Sequence, residues 1–332
     1  REKKWPDKEH LACASQLVNG LERSFKAAAP GNGTGHHSND CRKAYGAFLG
    51  NELFYSYAFL NELGGAFREK FLMGERPNVI QVGPEGALCE VHAIIGCLAR
   101  WSPRLHIVEP HPHTLSRVRW TLPHVADNNE SVVLLQGALC PEDRTVASLY
   151  AFSPKLLEAF PLLQSNFLEL SSMRKSVLVA AHRENFPYSD KNPGYSEAEW
   201  ESMTSYIEEV HSQCWSPHSL FQQLGLRRED VDAIIIDARG HSVQLLRTFL
   251  QMNKFWPLYI SFEWGATANG HNESSAAAFF RGTIDRVIQQ LELRGYRVGT
   301  YENRMFAVHA LLAVGEASPD LLDQGRRLQG TV

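Results

Sequence analysis

The segment Val231-Asp-Ala-Ile-Ile-Ile-Asp237 constrains the fold more than any other part of the chain. A continuous, largely β-branched run has no polar face, so both of its faces must be buried, as in a central strand of a parallel sheet. Parallel neighbours need crossover connections, usually helices, so the remaining chain should consist of strand, turn and helix units. It does. Asn78–Val82 ends at Gly83 and leads into a helix-like stretch at 85–100, with Leu88, Val91, Ile95 and Leu98 at helical spacing. Arg104–Glu109 is stopped by Pro110 and precedes a predicted helix at 114–122, and 131–136 reads as a third strand. After 231–237 come a helix at 242–252, a strand at 258–262, an amphipathic helix at 275–294, and two closing strands at 296–300 and 305–311. This order predicts an α/β fold: a Rossmann-like, doubly wound, mostly parallel sheet with a C-terminal antiparallel hairpin.

Outside this frame, residues 1–76 read as an N-terminal helical appendage, with periodicity at 11–27 and 47–71 on either side of the flexible loop Pro-Gly-Asn-Gly-Thr-Gly-His-His-Ser-Asn-Asp. The main domain is assigned to 77–314 and a tail to 315–332. Within the domain, 145–152 and 176–181 are expected as an added pair of strands, and the polar, aromatic stretch 183–213 as an insertion or lid. Arg1 stands where Met is expected, so the chain is read as trimmed.

A net charge of −4 over 332 residues asks for neither nucleic acid nor anionic lipid as partner. No apolar run approaches the ~18 to 20 residues of a membrane-spanning helix, so the chain is expected not to span one. The six cysteines are dispersed, without C-x-x-C or zinc spacing, and are expected as small buried hydrophobes. The cluster His36, His37, Asp40 and Cys41 lies around the Gly-rich loop, which offers no ordered scaffold, so no metal site is assigned. Triplets for N-glycosylation occur at Asn32, Asn129 and Asn272. A cytoplasmic or organellar location is nevertheless favoured over a secreted one, because disulfide frameworks belong mostly to smaller chains.

Ligands of open α/β sheets bind beyond the carboxyl ends of the strands, so the residues just past each strand carry the functional signal. Gly83 and Gly86, flanking Glu85, let the backbone turn and approach a ligand at a helix start. Glu109, ending the second strand, stands where an acid accepts hydrogen bonds from both hydroxyls of an adenosine ribose. Ala138, in Gln136-Gly-Ala-Leu139, leaves room for an adenine ring. Asp237 ends the most apolar strand, where it either faces the ligand crevice or caps the next helix. Glu263 and Trp264 follow the next strand. His241, His111 and His113 are the histidines near these points, any of which is able to take a proton near neutral pH.

In order and content these segments resemble the FkbM family of methyltransferases: Val82-Gly83, Glu109-Pro110, Ala138-Leu139 leading into Glu142-Asp143, 231–240, and Phe262-Glu263. The resemblance spans 77–312. It implies a class I methyltransferase fold, S-adenosylmethionine as cofactor, and cofactor contacts at Gly83, Glu85, Gly86, Glu109, Ala138 and Asp237. The expected reaction is O-methylation of a hydroxyl on a small molecule or sugar, with His241 or Glu263 as the base.

Two positions depart from the family pattern. Gln81 stands where an acid usually precedes the first glycine, and Asp237-Ala-Arg239-Gly240 replaces Asp-x-Glu-Gly. The second change inverts the local charge, and Arg239 is suited to an anionic ligand. These losses, with the helical appendage as a docking element, define the alternative: a catalytically inactive methyltransferase-like subunit of a larger complex. A nicotinamide-dependent dehydrogenase is disfavoured by the missing third glycine and by the terminal hairpin.

Overall fold

The computed structural model describes residues 67, 70–83, 103–121, 131–142, 144–161, 163, 168, 171–179, 196–238, 241–263, 275–301 and 304–309. The loop at 29–38, the tail and almost all of the N-terminal appendage lie outside them; of the appendage, Phe67 and 70–72 are helical.

The main sheet contains β1 (Asn78–Val82), β2 (Arg104–Glu109), β3 (Val132–Gln136), β8 (Val231–Ile236), β9 (Tyr259–Glu263), β10 (Tyr296–Tyr301) and β11 (Arg304–His309). Their spatial order is β10-β11-β9-β8-β1-β2-β3. Strands β3, β2, β1, β8 and β9 pair in parallel, while β11 is antiparallel to both β9 and β10. Strand β10 therefore runs with the parallel set, and the sheet is the doubly wound, class I methyltransferase type that the sequence predicts. All six residues of β8 are buried, as are all five of β1 and of β9, which is why these segments carry no polar face. Edge strand β3 is only partly covered.

Helices connect the strands: α1 (Pro112–Thr121) follows β2, α4 (Pro217–Leu224) precedes β8, α5 (Ser242–Leu250) links β8 to β9, and α6 (Ser275–Leu293) links β9 to β10. Helix α4 starts because the Ser216 side chain accepts the Ser219 N–H and Pro217 fits its first turn, and it stops at Gly225, whose φ of 63° is left-handed. Helix α5 buries Leu245, Leu246, Phe249 and Leu250 along one face, and Phe249 stacks on Phe255 at 5.1 Å.

A polar clamp holds the amino ends of the strands. Lys70 Nζ lies 2.8 Å from the buried Asp232 carboxylate, which also accepts the Asn78 N–H at 2.8 Å. The Asn78 side chain in turn meets His106 Nε2 at 3.1 Å. Burial, more than the nearby Arg104 charge, lowers the His106 pKa to about 4, so the ring is neutral here. Burial likewise raises the pKa of Asp232, and Lys70 opposes that shift.

Between β3 and α4 the chain builds a second sheet, in the order β4-β7-β5-β6. Its strands are β4 (Ala138–Leu139), β5 (Arg144–Phe152), β6 (Ser171–Ser172) and β7 (Ile207–Trp215). It corrects three expectations. Of the strand expected at 176–181, the described residues 176–179 are helical, and the antiparallel partners of β5 are β7 and β6. Most of β7 falls within the expected lid at 183–213, as does α3 (Glu197–Thr204), whose capping box joins Ser196 and Glu199. Polar composition hid β7 because its burial alternates, with exposed Glu208, Glu209, His211 and Gln213 facing solvent. Third, Cys140 and Cys214 are buried as expected but are also joined by a disulfide, with Cα atoms 5.9 Å apart. The other four cysteines lie outside the described residues. Near the second sheet, Phe152, Leu156, Leu178, Trp200 and Met203 form a hydrophobic cluster of their own.

Among the described residues, no helix is long and apolar enough to cross a membrane, and no group of three or more His, Cys, Asp or Glu is placed to hold a metal ion.

Candidate functional site

The strand order reverses direction between β1 and β8, and a crevice opens at the carboxyl ends of such neighbours. Here the two strand ends touch. The Asp237 N–H donates to the Val82 carbonyl at 2.8 Å, and the Gly83 N–H donates to the Val108 carbonyl at 2.9 Å. Gly83 turns with φ 65°, and a Cβ added there would sit 2.3 Å from the Asp237 carbonyl oxygen. Only glycine fits this notch.

Glu109 ends β2 and is buried, with its carboxylate accepting the His111 N–H at 2.7 Å, a contact that fixes its orientation beside the notch. Its own carbonyl accepts the Gly137 N–H at 3.1 Å. Gly137 cannot carry a side chain either, since a Cβ would fall within the Trp215 ring. The chain thus passes from β3 into β4 with the backbone pressed on an indole, and Ala138 is presented to the cleft.

That cleft holds about 600 Å³ of empty space, part of it open solvent. Gly83, Glu109, Ala138, Asp237 and His241 all line it, so five of the residues singled out in the sequence meet in one place. The Asp237 alternative is resolved by geometry: the residue at the start of α5 is His241, and the hydroxyl that accepts the Ala238 N–H, at 2.9 Å, belongs to Ser242. Asp237, with 7% of its surface exposed, is a cleft residue, not the cap of α5.

His241 has a buried Nε2 with no hydrogen-bond partner among the described residues. Its pKa is lowered, first by burial and then by the charge of Arg174, so the ring is neutral and able to accept a proton at neutral pH. His111 is different. Burial first, then His113, brings its pKa to about 4, and its Nδ1 lies 3.2 Å from Thr114 Oγ1, so it serves the turn after β2.

Glu263 ends β9, buried, and is not among the residues lining this cleft. Gln81 is buried within β1 and does not line it either, so the missing acid at this position leaves the cleft wall unchanged. Glu85, Gly86, Arg239, Gly240 and Trp264 lie outside the described residues.

Sequence reasoning missed the wall supplied by the second sheet: Leu149 from β5, Ser171 and Ser172 from β6, and Met173. Ser172 is buried, and its hydroxyl oxygen accepts the Arg174 N–H at 3.2 Å. A strand of two residues has no periodicity to detect, and only pairing to β5 places it here.

No protein-family profile matches the chain, and no curated protein matches it. Among solved structures it is similar to cofactor-bound Rv0187 from MTB, at 12% identity over 93% of this chain and 98% of that one, with a TM-score of 0.36. It is also similar to the SAH-bound methyltransferase PaMTH1 of Podospora anserina, at 9% identity over 93% and 99%, with a TM-score of 0.33. A third similarity is to MtNAS in complex with MTA and tNA, at 10% identity over 91% and 72%, with a TM-score of 0.28. With scores this low, the fold assignment rests on sheet order and register alone.

Proposed function

We propose that the chain is an S-adenosylmethionine-dependent methyltransferase of FkbM type, acting on a hydroxyl of a small molecule or sugar. One observation carries the reading: the glycine notch at Gly83, the carboxylates of Glu109 and Asp237, and the neutral imidazole of His241 line a single cleft at the reversal point of a sheet with a terminal antiparallel hairpin.

The residues fit the cofactor. Positions 83 and 137 bring bare backbone to the cleft, space that any Cβ would take away. The Glu109 carboxylate, oriented by the His111 N–H, is suited to ribose hydroxyls, and Asp237 to the amino-acid part. Both acids also balance the cofactor's positive charge. When bound, the cofactor supplies an already activated methyl group, so the protein's task is positioning. His241 takes the proton from the acceptor hydroxyl; its neutral state and buried Nε2 suit a base working near pH 7.

The test is calorimetric titration of the full chain with S-adenosylmethionine and S-adenosylhomocysteine. Micromolar binding is expected, weakened about tenfold or more in Glu109→Ala, because hydrogen bonds to a charged group are lost. Absence of heat and of thermal shift at millimolar ligand overturns the enzyme reading in favour of the inactive subunit.

A further inference from the structure

We propose that the Cys140–Cys214 disulfide positions the cleft wall, so that ligand affinity is coupled to thiol oxidation and is highest while the bond is intact. The inference goes beyond the methyltransferase reading and rests on it only for the choice of ligand.

Toward the second sheet, the wall formed by Gly137, Ala138 and Leu139 is held by few backbone bonds. Strand β4 has two residues, paired to β7 at Ala138 with Cys214 and at Leu139 with Trp215. The Cys140 N–H adds one bond to the Trp215 carbonyl, at 2.9 Å. Strand β7, by contrast, has nine residues and pairs with β5 along most of its length. The disulfide stands at the junction, with Cys140 directly after β4 and Cys214 inside β7, and so bolts the short strand to the firm ribbon. Ala138, Cys140, Ala147 and Cys214 form one buried cluster, and Met173 packs against it. Ala138 and Met173 also line the cleft, so the covalent bond shares a cluster with two residues of the ligand surface.

Both cysteines are only 3% exposed, so a reductant reaches the sulfurs only when β4 parts from β7. A ligand seated on Ala138 and Met173 opposes that parting. Such coupling is reciprocal: the factor by which oxidation tightens binding is the factor by which bound ligand protects the disulfide from reduction. Dithiothreitol supplies the electrons for the test. One of its thiolates attacks a cystine sulfur and the S–S bond breaks; its second thiolate displaces that mixed disulfide and closes a ring, and the reagent's two protons end on Cys140 and Cys214.

The full chain, oxidised or equilibrated with dithiothreitol, is titrated with S-adenosylhomocysteine, while thiol alkylation read by peptide mass separates Cys140 and Cys214 from Cys13, Cys41, Cys89 and Cys97. The oxidised chain should bind about fivefold or more tightly than the reduced one, and saturating ligand should shift the disulfide–dithiol balance by the same factor. Cys140→Ser with Cys214→Ser should bind like the reduced chain and be indifferent to dithiothreitol. Methyl NMR gives a reading that needs no ligand: in the double variant, as on reduction, the Met173 resonance moves, while that of Met305, buried in β11 of the main sheet, stays. Equal affinity in both redox states, a dithiothreitol effect that persists in the double variant, or an unmoved Met173 overturns the proposal. A shift of Met305 overturns it too, because the loss is then one of the whole fold. If neither form binds S-adenosylhomocysteine, the cofactor reading fails instead, and the Met173 signal alone decides on the disulfide.

Discussion

Replacing Gly83 by Ala tests the geometry of the site at its tightest point. Two costs are expected. The first is backbone: holding an L-residue at φ 65° costs about 1 to 2 kcal/mol. The second is steric, because the new Cβ would stand 2.3 Å from the Asp237 carbonyl oxygen, where ordinary contact begins at 3.4 Å, so β1 and β8 must part by about 1 Å. That shift stretches the buried bond from the Asp237 N–H to the Val82 carbonyl, at 2.8 Å, worth about 1 to 3 kcal/mol if left unmade. The total is about 2 to 5 kcal/mol, or a melting point lower by roughly 4 to 20 °C for a domain of this size. Gly225→Ala is the internal control. It has a similar positive φ, 63°, but a Cβ there meets nothing within 4 Å, so only the first cost applies. Urea denaturation of both variants separates the terms. If Gly83→Ala is within about 1 kcal/mol of Gly225→Ala, the contact between strand ends does not exist as described.

Other outcomes follow from the same structure. Cys140→Ser with Cys214→Ser removes a cross-link spanning 74 residues, and the chain-entropy model puts the loss at about 4 kcal/mol; a denaturation midpoint unmoved by reductant would refute it. His106 and His111 have folded pKa values of about 4, below the ordinary 6.5, so the unfolded chain takes up these protons first. Stability from these rings is therefore full above pH 6.5 and is lost as pH falls toward 4; a denaturation series in which His106→Asn has the same pH slope as the parent would count against the ring's buried, neutral state. His241→Gln is expected to slow methyl transfer about 10² to 10⁴-fold while S-adenosylhomocysteine binding stays within about twofold, and a matching loss of binding would make it a structural residue.

The main sheet was legible because its central strands bury both faces, and a strand like 231–236 has few other places to go. Glu109 and Asp237 were legible as strand ends, since register aligns them once the strands are in order. The second sheet was not. Strand β7 alternates exposed and buried residues within a polar stretch, β6 has two residues, and the helical turn at 175–179 carries the β-favouring Val177, so local pattern misled. The Cys140–Cys214 pair had no signature because β4 meets β7 only through tertiary pairing. Ser171, Ser172 and Met173 were overlooked for the same reason: a wall donated by a second sheet belongs to no strand end of the first.

The clamp of Lys70, Asp232, Asn78 and His106 grips the strands at their amino ends, whereas Gly83, Glu109, Ala138, Asp237 and His241 gather at or beyond carboxyl ends. Across the five residues of β1 these two ends are about 15 Å apart, beyond the range at which substitutions usually couple. Their mutational effects should therefore add. Glu109, Asp237 and His241 can therefore be randomised in a library without touching the anchorage of the sheet, whereas Gly83 and Gly137, where the backbone itself is in contact, and the core residues Val82, Val108, Leu139 and Leu245 are better kept. Ligand preference at those three positions is evolvable independently of the clamp that anchors the sheet.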